Sequence, residues 1–259
     1  VITGIGVIAP NGVGRVEYEN SLRSGRSGIE FLEKSRTLNI NCQIAGKPNI
    51  TAHYKQIYFD DYYQYKLKNK GIIYGCLSGL EAWKDAGLKK NHDLVDYESG
   101  MIFGSGALAM DSFNQKTVET ILEGKSRRLG SSIIPQSMSS GAAAYLNKIL
   151  GLGNRILSNS SACITGSESI LLGFEHLKLG KAKRMLCGST EGDGMLIWGA
   201  FDPMRILTSD SNDTPEQGSR PLCKTSAGFV PGGGSGALVL ETLESAQERN
   251  ATVSYTHLR

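Results

Sequence analysis

Apolar positions along the chain fall into two patterns. Short runs that hardly alternate, such as residues 2–8, read as strands buried on both faces, the habit of parallel sheets. Residues 100–103, 155–157, 184–187 and 235–241 read as further strands. Between them apolar residues recur at steps of three and four. Ile72, Ile73, Cys76, Leu77, Leu80 and Trp83 line one face of a helix over 72–86, which Gly87 ends. The same spacing predicts helices over 18–23, 118–122, 140–150 and 170–177, with Gly25, Gly151 and Gly180 as stops, and a further one starting near 243. Pro10-Asn11-Gly12 turns the chain, and residues 195–200 read as a turn region. Strands alternating with helices predict an α/β fold on a mostly parallel sheet. No short internal repeat is evident.

Composition narrows the classes. At 259 residues with 40% hydrophobic content, the chain suits one large or two small domains with a sizeable core. Its 32 glycines suit many tight strand–helix turns. A formal charge of +3 argues neither for nor against an anionic partner. Five scattered cysteines make neither a disulfide framework nor a metal spacing, so no metal and no cofactor are expected, and a reducing, cytoplasmic setting is. The absence of a signal-like segment or long apolar run predicts no membrane insertion. A start at Val1 rather than Met suggests a trimmed N-terminus. Residues 43–70 mix His53, Tyr54, Tyr58, Tyr62, Tyr63 and Tyr65 with Lys55, Lys66, Lys68 and Lys70, which could stack on single-stranded nucleic acid. Asp60 and Asp61 interrupt that run, and a surface-covering segment is the preferred reading, with no nucleic-acid partner.

Three motifs compete for the chemistry. Gly4-x-Gly6-x-x-Ala9 copies the dinucleotide fingerprint, but Pro10, Asn11 and Gly12 break the helix whose N-terminus would hold the pyrophosphate. Residues 232–236 are glycine-rich, yet a strand follows them, so a tight turn is preferred to a phosphate cradle. Cys163 lies where the 155–157 strand turns into the next helix. A helix N-terminus offers free N–H groups and partial positive charge, which suit a thiolate nucleophile and an oxyanion. The alternative is a small buried apolar residue. No histidine is placed to serve it. His176 is ~20 Å further along the same helix. His53 and His92 lie in polar, loop-like surroundings, and His257 lies near the C-terminal end.

Several segments, in order and at matching spacing, decide between these. They are Ile2-Thr3-Gly4-Ile5-Gly6 with its turn, Gly25-Arg26-Ser27-Gly28-Ile29, Ile102-Phe103-Gly104-Ser105-Gly106, Ser161-Ala162-Cys163-Ile164-Thr165-Gly166, Phe201-Asp202-Pro203-Met204-Arg205, Ser219-Arg220-Pro221 and Gly228 to Glu241. Together they resemble the N-terminal half of a β-ketoacyl-[acyl-carrier-protein] synthase, a condensing enzyme of the thiolase superfamily.

The resemblance implies a thiolase-like fold, with residues 1–251 forming the N-terminal α-β-α half of a five-layer α-β-α-β-α architecture. It implies a decarboxylative Claisen condensation of an acyl thioester with malonyl-acyl carrier protein, in fatty acid or polyketide synthesis. Cys163 would be the nucleophile, with its own N–H as half of the oxyanion hole. Ala107, Ala162 and Phe201 would line the acyl pocket. Arg127, Arg128, Arg205 and Lys66 would hold the acidic acyl carrier protein. A homodimer is expected of the full-length parent. The family's catalytic histidines belong to a C-terminal half, so this chain alone is expected to be inactive and, with its nucleophile helix meant for a central layer, poorly soluble. Residues 252–259 depart from the family pattern and are expected to be a foreign tail. Ile164 is bulkier than the small residue usual there and is expected to narrow the pocket mouth. Two other classes remain open: a non-catalytic ketosynthase-like partner that binds carrier protein, which retention of Cys163 argues against, and a dinucleotide-binding α/β domain.

Overall fold

The computed structural model describes residues 1–90, 94–111 and 115–255. His92 and His257 lie outside the described residues. In chain order the elements are β1 (Ile2–Ala9), β2 (Gly12–Val13), α1 (Arg15–Ser24), β3 (Ile29–Phe31), α2 (Glu33–Thr37), β4 (Ile44–Gly46), α3 (Ala52–Tyr58), α4 (Asp61–Lys66) and α5 (Lys70–Asp85). They continue as β5 (Ser99–Gly104), α6 (Gln115–Leu122), α7 (Ile133–Ser137), α8 (Gly141–Leu150), β6 (Ile156–Leu157), α9 (Thr165–Lys178), β7 (Arg184–Glu191), α10 (Met195–Phe201), β8 (Gly234–Glu241) and α11 (Leu243–Glu248).

Six strands form one sheet in the order β2-β1-β8-β7-β5-β6, while β3 and β4 pair antiparallel apart from it. The large sheet is mixed, not mostly parallel. β5 pairs parallel with β6 and β7, but β8 runs antiparallel to both β1 and β7. The reason lies in the β7–β8 connection. Gly192 and Gly232, near its two ends, line the same cavity. The connection thus begins and ends at the same end of these two strands, and β8 must run back along β7.

Helices cover both faces. The pleat sends alternate side chains of a strand to opposite sides. Leu186 of β7 joins Met101 and Phe103 of β5 against α5 and α8, whereas Met185, Cys187 and Ile102 pack under α9. The result is an α-β-α sandwich. In α5 the predicted stripe holds: Ile72, Cys76, Leu77 and Leu80 are at most 1% exposed. Each such aliphatic side chain contributes roughly 1.5–3 kcal/mol by burial.

β1 and α5 pack unusually close. A Cβ on Gly4 would lie 2.1 Å from the Ala82 carbonyl oxygen, and one on Gly6 would lie 1.9 Å from that of Ser78. The two glycines that copy a dinucleotide fingerprint therefore serve helix–strand contact, and no helix follows Ala9 directly. Along the same strand α5 supplies acceptors. Glu81 takes the Val7 N–H at 2.8 Å, and Asp85 takes the Ile5 N–H at 3.0 Å. Burial pushes the Glu81 carboxyl up, against the N–H donors of Arg15 and Val7 that pull it down.

The aromatic stretch before α5 forms two short helices. Thr51 and Asp60 cap them by accepting the N–H groups of Tyr54 and Tyr63. Phe59 and Tyr63 are buried with the α5 cluster, so these rings cover the core. Residues 195–200, expected as a turn, lie in helix α10; its Trp198 packs with Leu32 and Ala45. At the C-terminal end, Ser254 and Tyr255 donate N–H groups to the Ile2 carbonyl, and Ile2 donates to that of Tyr255, forming a bridge beside β1. No helix among the described residues is long and apolar enough to cross a membrane.

Candidate active site

β6 carries the chain to the C-terminal end of β5, with Met101 opposite Ile156 and Ile102 opposite Leu157. Residues 158–161 then pass Gly104, where a Cβ would lie 2.3 Å from the Asn159 carbonyl oxygen; only glycine fits. A 3₁₀ turn, Ala162–Ile164, leads into α9. Cys163 is thus presented at a strand-to-helix turn, as the sequence predicts, and it is exposed.

The turn is strained and braced. Ala162 has φ 49°, a left-handed conformation that costs a residue with a Cβ ~1–2 kcal/mol. Thr165 opposes that strain from both sides. Its Oγ1 accepts the Ser161 N–H at 2.9 Å and donates to the Ala162 carbonyl at 2.7 Å. Asn159 donates to the Thr165 carbonyl at 3.0 Å and to Glu168 at 3.0 Å, and it accepts from Ser169 at 2.8 Å. The Ser161 hydroxyl also donates to Glu168. Hydrogen bonds from Ser161 and then Asn159 hold the Glu168 carboxyl below its usual range. The single charge in the first turns of α9 is therefore a brace for the turn.

Cys163 borders a cavity of about 310 Å³, small for a ligand site. Ala107, Ala162 and Phe201 line the same cavity, so the structure brings all four predicted nucleophile and pocket residues together. Sequence reading missed Glu191, Trp198 and Phe229. Glu191, at the end of β7, pins the opposite wall: its carboxylate accepts the Gly106 N–H, the Ala107 N–H at 3.2 Å and the Ser105 hydroxyl at 3.2 Å. Phe201 meets Phe229 edge to face, with centroids 5.6 Å apart. Phe229 lies inside the glycine-rich segment quoted above, and aromatic character within a turn was the available signal. Trp198 had none, because its stretch reads as a turn.

Other predicted residues lie elsewhere. Ile164 does not line the cavity; the 3₁₀ turn points it outward, 64% exposed, so it does not narrow the mouth. Arg127 and Arg128 are exposed in a 3₁₀ turn, Arg205 is exposed just after the 202–204 turn, and Lys66 is half-buried at the end of α4. None of these four lines the cavity. His176 sits in the last turn of α9, beside Asn154 at 2.9 Å, and His53 lies on α3. Neither reaches Cys163's cavity. Among the other cysteines, burial pushes the Cys42, Cys76 and Cys187 thiols up, which keeps them protonated. Cys223 is exposed; hydrogen bonds with Thr225 lower its thiol. It lies outside the cavity.

An α-β-α sandwich that offers one cysteine from a strained strand-to-helix turn to an apolar cleft has the thiolase-like architecture of the ketosynthases. The chain belongs to the beta-ketoacyl synthase family: residues 1–246 match the model of the Beta-ketoacyl synthase, N-terminal domain. It is 33% identical, over 98% of its length and 61% of the relative's, to a 3-oxoacyl-[acyl-carrier-protein] synthase 1 of Buchnera aphidicola. A beta-ketoacyl synthase structure from Burkholderia phymatum superposes with a TM-score of 0.85 at 27% identity, covering 98% of this chain and 61% of that one. A ketosynthase solved in complex with its type II acyl-carrier protein gives 0.83 at 25% identity, covering 98% and 60%. The chain thus spans about three fifths of the length of these relatives.

Proposed function

We propose that this chain is the nucleophile-bearing half of a β-ketoacyl-acyl carrier protein synthase. The observation that carries the reading is Cys163 at the mouth of an apolar cavity, on a turn held by Thr165 and Glu168. The Cys163 thiolate attacks the carbonyl of an acyl thioester, and the Cys163 N–H stabilises the oxyanion. Collapse expels the carrier thiol and leaves the acyl group on sulfur, its chain in the cavity with Ala107, Ala162 and Phe201. Malonyl-acyl carrier protein then loses carbon dioxide. Its carbanion attacks the acyl-enzyme, frees the Cys163 thiolate and releases a β-ketoacyl chain two carbons longer. The histidines that assist decarboxylation belong to the other half. Arg127, Arg128, Arg205 and Lys66 form the rim that meets the acidic acyl carrier protein, and the whole protein acts as a homodimer. The relative solved with its acyl-carrier protein supports that partner. Residues 1–251 form the domain, and Ser254 and Tyr255 bridge back onto it beside β1.

Malonyl-dependent condensation tests the reading. The intact protein is expected to turn over, Cys163→Ala to lose at least about 10⁴-fold in rate, and the 259-residue chain alone to show none. Turnover by the isolated chain, or a Cys163→Ala rate near that of the intact protein, contradicts it.

A further inference from the structure

Between α4 and α5 the chain runs extended, with Leu67 at φ −78°, ψ 123° and Asn69 at φ −70°, ψ 120°. Extended backbone sends alternate side chains to opposite sides. Leu67 and Asn69 are buried, while Lys68 and Lys70 stand in solvent and Lys66 is half-buried. A second buried amide, Gln136 of α7, holds the segment from inside. Its Oε1 accepts the Lys68 N–H at 2.7 Å and the Asn69 N–H at 3.2 Å, and its Nε2 donates to the Lys66 carbonyl at 3.2 Å. Asn69 reaches onward. Its Nδ2 donates to the Gln136 carbonyl at 2.9 Å and to the Leu108 carbonyl at 3.1 Å, and its Oδ1 accepts the Ile72 N–H at 3.1 Å at the start of α5. Leu108 follows Ala107, which lines the Cys163 cavity and whose N–H Glu191 holds from the other side. In the chain, α7 comes soon after the 126–128 turn that carries Arg127 and Arg128.

We propose that Gln136 is a positioning residue for the carrier-protein step: with Asn69 it holds the Lys66–Lys70 segment in fixed register with the wall of the Cys163 cavity, so that a carrier protein docked on these lysines delivers its acyl thioester at the sulfur. This rests on the proposed acyl-transfer function. Buried backbone N–H and C=O groups need partners, and here one side chain serves three of them between Lys66 and Asn69. Without it that stretch of backbone is released, and the lysines lose the fixed spacing that a complementary acidic surface requires. The Asn69–Leu108 hydrogen bond does not pass through the Gln136 side chain, so the cavity keeps its wall. The effect therefore falls on docking of the carrier and not on the reaction at sulfur.

The test compares two acyl donors on the intact protein: an acyl-acyl carrier protein, and the same acyl group on N-acetylcysteamine, a thiol too small to reach the lysines. Acylation of Cys163 is followed by peptide mass spectrometry. Gln136→Met nearly keeps the volume and loses all three side-chain hydrogen bonds. It is expected to lower the second-order rate from the carrier-borne donor about tenfold, and to leave the rate from the small donor within about twofold. Gln136→Glu keeps an acceptor for the Lys68 and Asn69 N–H groups and is expected to lose less; it reads the same ratio if the apolar variant does not fold. An equal fall with both donors marks a merely structural residue and overturns the positioning role, as does an unchanged ratio in a folded variant. Failure of both donors to acylate Cys163 in the unsubstituted protein overturns the proposed function. Titration with the acyl-acyl carrier protein then decides the docking role by itself: its Kd is expected to rise about tenfold in Gln136→Met, and an unchanged Kd overturns that role.

Discussion

Glu241 has a fully buried carboxylate on which four donor contacts converge: Thr3 at 3.0 Å, Ser245 at 2.7 Å and Arg249 at 2.9 and 2.6 Å. Burial alone would push its carboxyl up; the hydrogen bonds of Arg249, Ser245 and Thr3 outweigh it and hold the group below its usual range. A depressed folded-state value contributes stability above the unfolded value of about 4.3, and that contribution is lost as pH falls through the folded value. Arg249→Met removes two of these four contacts, leaving Thr3, Ser245 and the Arg184 guanidinium 4.0 Å away, and is expected to cost about 3 kcal/mol in denaturant melts near neutral pH, and less as pH falls through the depressed folded value and Glu241 becomes protonated. A cost independent of pH contradicts this account. The cysteines divide on similar grounds. Iodoacetamide is expected to label exposed Cys163 and Cys223 in the folded protein and to reach Cys42, Cys76 and Cys187 only after unfolding.

At the scale of elements, the closest contact in the sandwich is β1 on α5. Gly6→Ala places a methyl group 1.9 Å from the Ser78 carbonyl oxygen, which only a shift of strand or helix relieves. A loss of about 1–3 kcal/mol or more is expected by chemical denaturation, and a neutral substitution would refute the packing described. Helix α5 was legible in sequence because its apolar stripe, Ile72 to Trp83, spans about three turns of one face. So were its glycine stop and the Cys163 turn, since a strand run, small polar residues and a helical run follow one another directly. Two features were not. The reversal of β8 depends on where the 192–233 connection lies in space, which no periodicity in β8 records. Helix α10 was hidden because Trp198 and Phe201 face a cavity and a groove, so its apolar residues do not form the usual single stripe. The pocket residues Ala107, Ala162 and Phe201 were reached through family resemblance; nothing in their own spacing marks them. Glu191 and Glu168 were invisible as site residues because their partners, backbone N–H groups and the Ser105 hydroxyl for Glu191 and the Ser161 hydroxyl and Asn159 amide for Glu168, are set only by the fold.

For the whole molecule, the outer side of α9 is the telling surface. Its inner side packs on β5, β7 and β8, while Leu171 is 54% and Phe174 53% exposed. The resemblance implies a central layer for this helix, and among the described residues that outer side stays open. In the proposed five-layer architecture that face is covered by the second half of the protein. Leu171→Glu with Phe174→Glu is therefore expected to reduce aggregation of the isolated chain, seen by light scattering, and to destabilise the intact protein. Aggregation unchanged by both substitutions contradicts that assignment. The account as a whole turns on what the Cys163 sulfur does. Incubating the intact protein with an acyl-acyl carrier protein and mapping the adduct by mass spectrometry measures it directly. The expected result is one acyl group, on Cys163, absent in Cys163→Ala; an acyl group on Cys223, or none on any cysteine, would contradict it.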